Sequence, residues 1–365
     1  MQWSREQDAA LKAVDDWIRA PTTQVFRLFG YAGAGKTTLA RHVAENVDGE
    51  VAFAAYTGKA AHVLRQKGCE DASTIHALIY RPTEDDGEDG PSFALRRDAP
   101  ASKADLIVID ECSMVDEDLG RDLLSFGRPV LVLGDPAQLP PVKGGGYFTD
   151  AEPDFMLTEI HRQAADNPII RLSMAIREGC EASEDAADYG DACRVVDRRA
   201  IDAETILNAD QVLVGVNRTR KKFNDRIRSL KGFDDATPAA GEKLVCLRNN
   251  KRKGLLNGGI WTVAARRSAR GARTRLTVAP EDGGKKVDIS VPQRMFVDGA
   301  DQVPFPERRG ADEFDYGYAL TVHKAQGSQW DEVVLFDESY AFRDHGARWL
   351  YTGVTRAAAR LTLVR

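Results

Sequence analysis

The run Gly30-Tyr31-Ala32-Gly33-Ala34-Gly35-Lys36-Thr37-Thr38 fits the spacing G-x-x-x-x-G-K-[ST], in which each residue type has a chemical task. Glycines let successive backbone N–H groups turn toward phosphate oxygens. Gly33, Ala34 and Gly35 form that cradle, Lys36 would reach the outer phosphates, and the Thr37 hydroxyl would hold Mg²⁺. Thr38 reads either as a further phosphate contact or as the start of the next helix. An acidic pair, Asp110-Glu111, follows four aliphatic residues. Asp110 would hold the same cation, directly or through water. Glu111 would orient and deprotonate an attacking water. In Gly134-Asp135-Pro136-Ala137-Gln138-Leu139-Pro140-Pro141-Val142, Gln138 stands at a turn where a carboxamide can sense a terminal phosphate.

These groups need elements to hold them. Val25-Phe26-Arg27-Leu28-Phe29 reads as a buried strand before the glycine loop, and Thr38 to Val47 as a helix after it, whose N-terminal partial charge adds to the anion site. Further strands are expected at Val51–Ala55, Leu106–Ile109, Val130–Leu133, Val212–Val216, Val333–Phe336 and Leu361–Val364. Acidic residues at the C-terminal end of such a strand lie beside the phosphate loop in open α/β sheets. Ser4 and Gln7 fit a helix capping box before an apolar-periodic segment, Ala9 to Ile18; Gln7 reads equally as an amide that grips an adenine edge. Thr57-Gly58-Lys59 opens a helix after a strand, either as a phosphate contact or as an ordinary cap with a surface lysine. Ser73-Thr74-Ile75-His76 opens a short helical run. Residues 82–103 are rich in Pro, Gly and acid, and read either as a small hairpin insert or as a floppy acidic loop. The basic cluster Asn217-Arg218-Thr219-Arg220-Lys221-Lys222 reads either as a backbone-phosphate contact or as a solvated helix face. Residues 259–311, with short β-like runs that include Met295 to Val297, are expected to form a small β-barrel.

A chain of 365 residues is expected to form two globular units. The net charge of −6 does not advertise a nucleic-acid partner, although a local basic groove can still bind phosphates. The five cysteines, Cys69, Cys112, Cys180, Cys193 and Cys246, are scattered and form no C-x-x-C pair, so neither zinc nor disulfides are expected. No stretch is long and apolar enough for a membrane span, and Met1 to Glu6 lacks the character of a signal peptide. A cytoplasmic protein is expected.

Taken in order, the motifs resemble the superfamily 1 DNA helicases of the B type, the RecD/Dda-like group, over nearly the whole chain. Motif I is the glycine loop, Ia is Thr57 to Ala61, Ib is Ser73 to His76, II is Asp110 to Met114 and III is Gly134 to Val142. His161-Arg162-Gln163 is similar to motif IV, Tyr318 to Ser328 to motif V, and Tyr351-Thr352-Gly353-Val354-Thr355-Arg356-Ala357 to motif VI. The resemblance implies an α/β fold with two RecA-like P-loop domains. Residues 1–150 would form the first and residues 151–258 with 312–365 the second. Residues 79–103 would be a pin-like insert in the first and 259–311 an SH3-like barrel in the second. It implies ATP and Mg²⁺ between the two domains, with Arg162 and Arg356 neutralising charge at the γ-phosphate. Gln7 and Gln329 would contact the nucleotide. Thr57, Lys59, Thr74, His76, Thr321 and His323 would contact DNA, and Phe93 would be the wedge on the last base pair, against the reading of a buried hairpin aromatic. The implied activity is 5′–3′ motion on single-stranded DNA and separation of duplex at single-strand/double-strand junctions, by a monomer serving replication, repair or recombination proteins.

Two departures matter. Gln329 stands where many superfamily members carry a Glu near the ribose, and the implied pin carries an acidic turn that would repel DNA. A translocase without strong unwinding and a viral-type superfamily 1 RNA helicase are therefore kept beside the main reading. A P-loop kinase fits poorly with the paired arginines and motif V. A non-catalytic nucleic-acid-binding module fits poorly with Lys36, Asp110, Glu111 and Arg356.

Overall fold

Strands buried on both faces read as continuous aliphatic runs rather than alternating ones, and the centre of this fold is built from such strands. The structure is a computed structural model that describes residues 3–87, 90–141, 146–159, 167–179, 190, 192–281 and 283–365. By their internal contacts the residues group into two units. The first comprises residues 1–85, 91–182 and 347–355; the second comprises 86–90, 183–346 and 356–365.

The first unit holds strands β1 (Val25–Gly30), β2 (Val51–Ala55), β3 (Ser73–Thr74), β6 (Leu106–Asp110), β7 (Val130–Gly134) and β8 (Phe155–Leu157). They form one parallel sheet in the order β3-β2-β6-β7-β1-β8. Between them in the chain, β4 (Tyr80–Gly87) and β5 (Gly90–Leu95) pair as a separate two-stranded hairpin. Alternate side chains divide the sheet's core in two. Phe29, Ile107, Ile109, Val130 and Val132 pack with Ile75, Leu78, Leu119 and Leu123 from helices Ile75–Ile79 and Glu117–Leu124. On the other face Phe26, Leu28, Leu106, Val108, Leu131 and Leu133 pack with Val14, Trp17, Leu39 and Val43 from helices Arg5–Arg19 and Lys36–Glu45.

The second unit has a parallel sheet of β9 (Cys193–Val196), β10 (Gln211–Val214), β16 (Ala319–Thr321), β17 (Trp330–Phe336) and β18 (Ala357–Val364), ordered β16-β10-β17-β18-β9. An antiparallel sheet of β11 (Lys243–Cys246), β12 (Ile260–Arg270), β13 (Arg273–Pro280), β14 (Val287–Pro292) and β15 (Phe314–Tyr316) runs β14-β13-β12-β11-β15. The two share one core, in which Val212, Val334 and Phe336 meet Leu244, Trp261, Val278 and Phe314. The small sheet therefore takes in β11 and β15, which lie outside residues 259–311, because the inner edge of β12 finds its hydrogen-bond partner only in β11.

The β-like run at Met295–Val297 is instead the end of a short helix, Gln293–Val297. Met295 and Phe296 are buried there, and a short apolar run carries no period that separates helix from strand. The basic cluster at 217–222 starts helix Asn217–Leu230, but it is not one solvated face. Arg220 is buried and donates to Asp315 Oδ2 at 2.7 Å. The helix has no side-chain cap of its own. Glu338, also buried, accepts from Gly215 N at 2.6 Å, Val216 N at 3.1 Å and the Thr219 hydroxyl at 2.6 Å. These amides are satisfied within the protein. Cys69, Cys112, Cys193 and Cys246 are buried thiols without a disulfide among the described residues. No helix among the described residues is long and apolar enough to cross a membrane.

Candidate nucleotide site

The chemically competent residues of the first unit sit at the C-terminal ends of neighbouring parallel strands, where open α/β sheets place their ligands. β1 runs into the glycine loop, β6 ends at Asp110, and β7 ends at Gly134 before Asp135 and Gln138. Gly33 and Gly35 have φ of 83° and 82°, the left-handed region that glycine enters without strain, and Gly35 serves as N-cap of helix Lys36–Glu45. The helix thus begins at Lys36, two residues before the expected Thr38, which lies in its first turn.

Lys36 folds back over the loop. Its Nζ donates to Gly30 O at 2.6 Å and Tyr31 O at 3.0 Å, so an ammonium is already held at the mouth of the cradle. The Thr37 hydroxyl donates to Asp110 Oδ2 at 3.0 Å, and Glu111 N donates to Asp110 Oδ1 at 2.9 Å. A hydroxyl and a carboxylate in contact supply the hard oxygen donors that Mg²⁺ prefers. No group of three or more His, Cys, Asp or Glu suited to a metal occurs among the described residues. A cation held by one carboxylate, one hydroxyl and substrate phosphates needs no such group.

Glu111 sits at φ 53°, ψ 47°, a left-handed conformation that is uncommon for a residue with a side chain. Backbone held this way concentrates at functional sites. Gln138 is 7% exposed, and its Oε1 meets no donor among the described residues. Gln7 takes the capping-box position and also reaches the glycine loop. Its backbone and carboxamide close the capping box with Ser4, while its Nε2 donates to Ala34 O in the glycine loop at 3.3 Å.

Three residues of this neighbourhood were not singled out for a role from the sequence. Tyr351 donates to Asp135 Oδ2 at 2.6 Å and accepts from Ala32 N at 3.2 Å. Thr352 Oγ1 accepts from Leu139 N at 2.9 Å. The Arg177 guanidinium stacks over the Tyr31 ring, 3.6 Å from its centroid. Burial and the Asp135 carboxylate both push the Tyr351 phenol well above its ordinary range, so it stays protonated as a donor. The available signal was a pair of adjacent hydroxyl residues, Tyr351 and Thr352, in the buried half of helix Gly346–Val354.

Family comparisons fit this geometry. A family model described as an AAA domain matches residues 2–198, and one described as a UvrD-like helicase C-terminal domain matches residues 316–364. The first model covers more than half of the chain, which belongs to that AAA-domain family, and the C-terminal segment is similar to UvrD-like helicases. The ATP-dependent RecD2 DNA helicase of Deinococcus radiodurans is 29% identical over 364 residues, which span 91% of this chain and 46% of that protein. The conjugal transfer protein TraA of Rhizobium radiobacter is 25% identical over 373 residues, 90% of this chain and 30% of its own length. This chain therefore spans less than half the length of these two curated relatives. In fold it is similar to Bacteroides Pif1, in the crystal structure of that protein bound to single-stranded DNA, with a TM-score of 0.64 at 19% identity over 100% of this chain and 92% of the other.

The remaining residues singled out from the sequence fall mostly near other strand ends. Thr57, Thr74 and Thr321 are each a helix N-cap whose hydroxyl accepts from the backbone N–H three residues on, of Ala60, Ala77 and Lys324. A basic side chain, Lys59, His76 or His323, follows each at the second position. Ala55 pairs with Thr74 in register, so the ends of β2 and β3 that carry Thr57 and Thr74 lie side by side. His76 stands among rings, 5.4 Å from Tyr80, 6.0 Å from Phe93 and 6.3 Å from Tyr56. Burial lowers the pKa of His76 and of His323 and favours neutral imidazoles. Phe93 lies on β5, 50% exposed and therefore not a buried hairpin aromatic. In the second unit Arg356 is buried and donates to Ser328 O at 3.2 Å, and Gln329 is exposed in a hollow shared with Asp210, Glu281 and Asp331. Arg162, with His161 and Gln163, lies outside the described residues, as do Val142 to Gly145 and the acidic stretch 180–189.

Proposed function

We propose that this chain is an ATP-dependent DNA helicase or translocase that moves 5′ to 3′ on single-stranded DNA. The observation that carries the reading is the Thr37–Asp110 contact, joined to Lys36 on the loop carbonyls. The Thr37 hydroxyl, the Asp110 carboxylate and the Lys36 ammonium lie at the C-terminal end of one parallel sheet, which supports a role in holding cation and phosphate. A relative named as an ATP-dependent DNA helicase, aligned over nine-tenths of this chain, supports the same reading.

In this mechanism Lys36 and the amides of Gly33 to Thr37 bind the phosphates. Thr37 and Asp110 would hold Mg²⁺, which when bound would supply positive charge against the phosphates. Glu111 orients the attacking water and takes its proton as oxygen bonds to the γ-phosphorus and the bond to ADP breaks. Gln138 contacts the γ-phosphate or that water through a carboxamide whose Oε1 meets no donor among the described residues. Arg162 and Arg356 supply positive charge to the transition state. Gln7 and Gln329 are assigned to the base and ribose.

Thr57, Thr74 and Thr321 are assigned to the DNA backbone on chemical grounds. A capping hydroxyl accepts from an amide and keeps its own proton for a phosphate oxygen. Lys59, His76 and His323 accompany them, the histidines as neutral donors. Phe93, exposed on the hairpin, is assigned to a base face or the last base pair. Residues 79–103 would be the pin and the antiparallel sheet an SH3-like accessory domain. A monomer in the cytoplasm, acting with replication or recombination proteins, completes the reading. The acidic pin sequence favours a second reading, translocation with weak strand separation.

The test is ATP turnover with Mg²⁺, with and without single-stranded DNA or RNA. DNA-stimulated turnover that Lys36→Ala abolishes is expected. Turnover indifferent to DNA, or stimulated by RNA alone, would overturn the DNA assignment.

A further inference from the structure

Two contacts, one on either side of Gln138, lead to one helix. Asp135 shapes that loop from within: its Oδ1 accepts from Ala137 N at 3.0 Å, and its backbone carbonyl accepts from Gln138 N at 3.1 Å. Its other carboxylate oxygen, Oδ2, takes the Tyr351 phenol proton at 2.6 Å. Beyond the loop, Leu139 N donates to Thr352 Oγ1 at 2.9 Å. Gln138 is therefore clamped on both sides by consecutive residues of helix Gly346–Val354. The same phenol oxygen accepts from Ala32 N, so one atom joins the glycine loop to the Gln138 loop. Tyr351, Thr352 and Asp135 are all fully or almost fully buried, so water does not compete for these bonds. Helix residues 347–355 group with the first unit, and the next residue in the chain, Arg356, groups with the second.

We propose that Tyr351 is a positioning residue for hydrolysis, fixing the glycine loop and the Gln138 loop in one geometry through its single hydroxyl. Thr352 is its companion on the Leu139 side. The pair acts through Gln138 and the loop amides and does not touch the nucleotide. The inference rests on the proposed ATP hydrolysis. Its consequence is that the hydroxyl matters for turnover and little for nucleotide affinity. Lys36 and the helix N-terminus, which bind phosphate, keep their own bonds without it.

The experiment compares Tyr351→Phe, Asp135→Asn and the double variant in DNA-stimulated ATP turnover, with thermal midpoint and affinity for a fluorescent ATP analogue measured in parallel. Tyr351→Phe keeps the buried ring and removes one oxygen. Losing a hydrogen bond to a charged partner corresponds to about a ten- to hundredfold loss of kcat. KM for ATP and analogue affinity should stay within about threefold of the parent. Asp135→Asn should lower kcat similarly, and the double variant should fall no further than the worse single variant, because residues acting as a unit are not additive.

Parental kcat in Tyr351→Phe, or losses that multiply in the double variant, would overturn the proposal. So would analogue binding and thermal midpoint collapsing together, which marks a purely structural role; Thr352→Val, expected to lower kcat with analogue binding intact, checks this independently. The ratio of variant to parent tests this inference, whereas the parent alone tests the functional reading. A parent without turnover would overturn both, since no hydrolysis would then exist to position.

Discussion

Replacing Gly134 with alanine tests how closely the strands that carry Asp110 and Asp135 approach one another. A Cβ built on Gly134 would stand 2.5 Å from Cys112 Sγ and 3.2 Å from Phe29 Cε1. Heavy atoms rest at about 3.5–4.0 Å, so the sulfur would have to retreat by roughly 1 Å. Cys112 and Phe29 are wholly buried, so neither can swing toward solvent. Overpacking of this kind costs about 1–3 kcal/mol. Gly134 is not in the left-handed region, so alanine brings no backbone strain there, and its stiffer unfolded chain offsets about 0.4–1 kcal/mol. The expected net loss is about 1–2 kcal/mol. Cys112→Ala removes the sulfur that the new methyl meets, so the two substitutions should couple by at least about 1 kcal/mol. Urea unfolding measures the cycle, and hydrogen exchange of the β6 and β7 amides confirms that the loss lies in this sheet. Effects that add to within about 0.5 kcal/mol, or a stable Gly134→Ala, would refute the packing argument.

Two more outcomes follow from buried polar groups. Glu338→Ala strips three acceptor contacts from Gly215, Val216 and Thr219, and should cost about 2–4 kcal/mol in urea unfolding, with Glu338→Gln less severe; an unchanged midpoint would mean that the amides find other partners. Burial holds His76 below the ordinary histidine value of 6.5, with Asp116 pulling weakly the other way. The unfolded chain therefore takes up a proton before the folded one does, and stability falls as the pH drops through that value. His323 acts with the same sign. His76→Asn should flatten part of this decline in unfolding scans across the acidic range, and an identical slope would remove His76 as a contributor.

The central parallel strands were legible where burial on both faces leaves no polar residue, as in Leu106–Ile109 and Val130–Leu133, whereas the short edge strands β3, β8, β9 and β16 were not. The glycine loop was legible because its spacing is tied to backbone geometry that few residues can adopt. Short apolar segments were not: Met295 and Phe296 have the composition of a strand but sit in a one-turn helix after Pro292. Arg220 looked like part of a basic surface because its partner, Asp315, lies 95 residues away. Glu338 was not singled out for the same reason, and Tyr351, read only as part of motif VI, was given no role of its own. Their partners are 123 and 216 residues distant, at Gly215 and Asp135, and nothing local marks a side chain that completes a remote loop. The capping roles of Thr57, Thr74 and Thr321 were half visible, since a threonine between strand and helix signals a cap whether or not it also meets a phosphate.

The most direct test of the motor reading is strand displacement from a short duplex bearing either a 5′ or a 3′ single-stranded tail, with ATP and Mg²⁺ and turnover recorded alongside. Displacement from the 5′-tailed duplex alone, lost in Lys36→Ala, is the expected result. Displacement from the 3′-tailed duplex alone would contradict the direction, and DNA-independent turnover with neither duplex opened would contradict the motor itself.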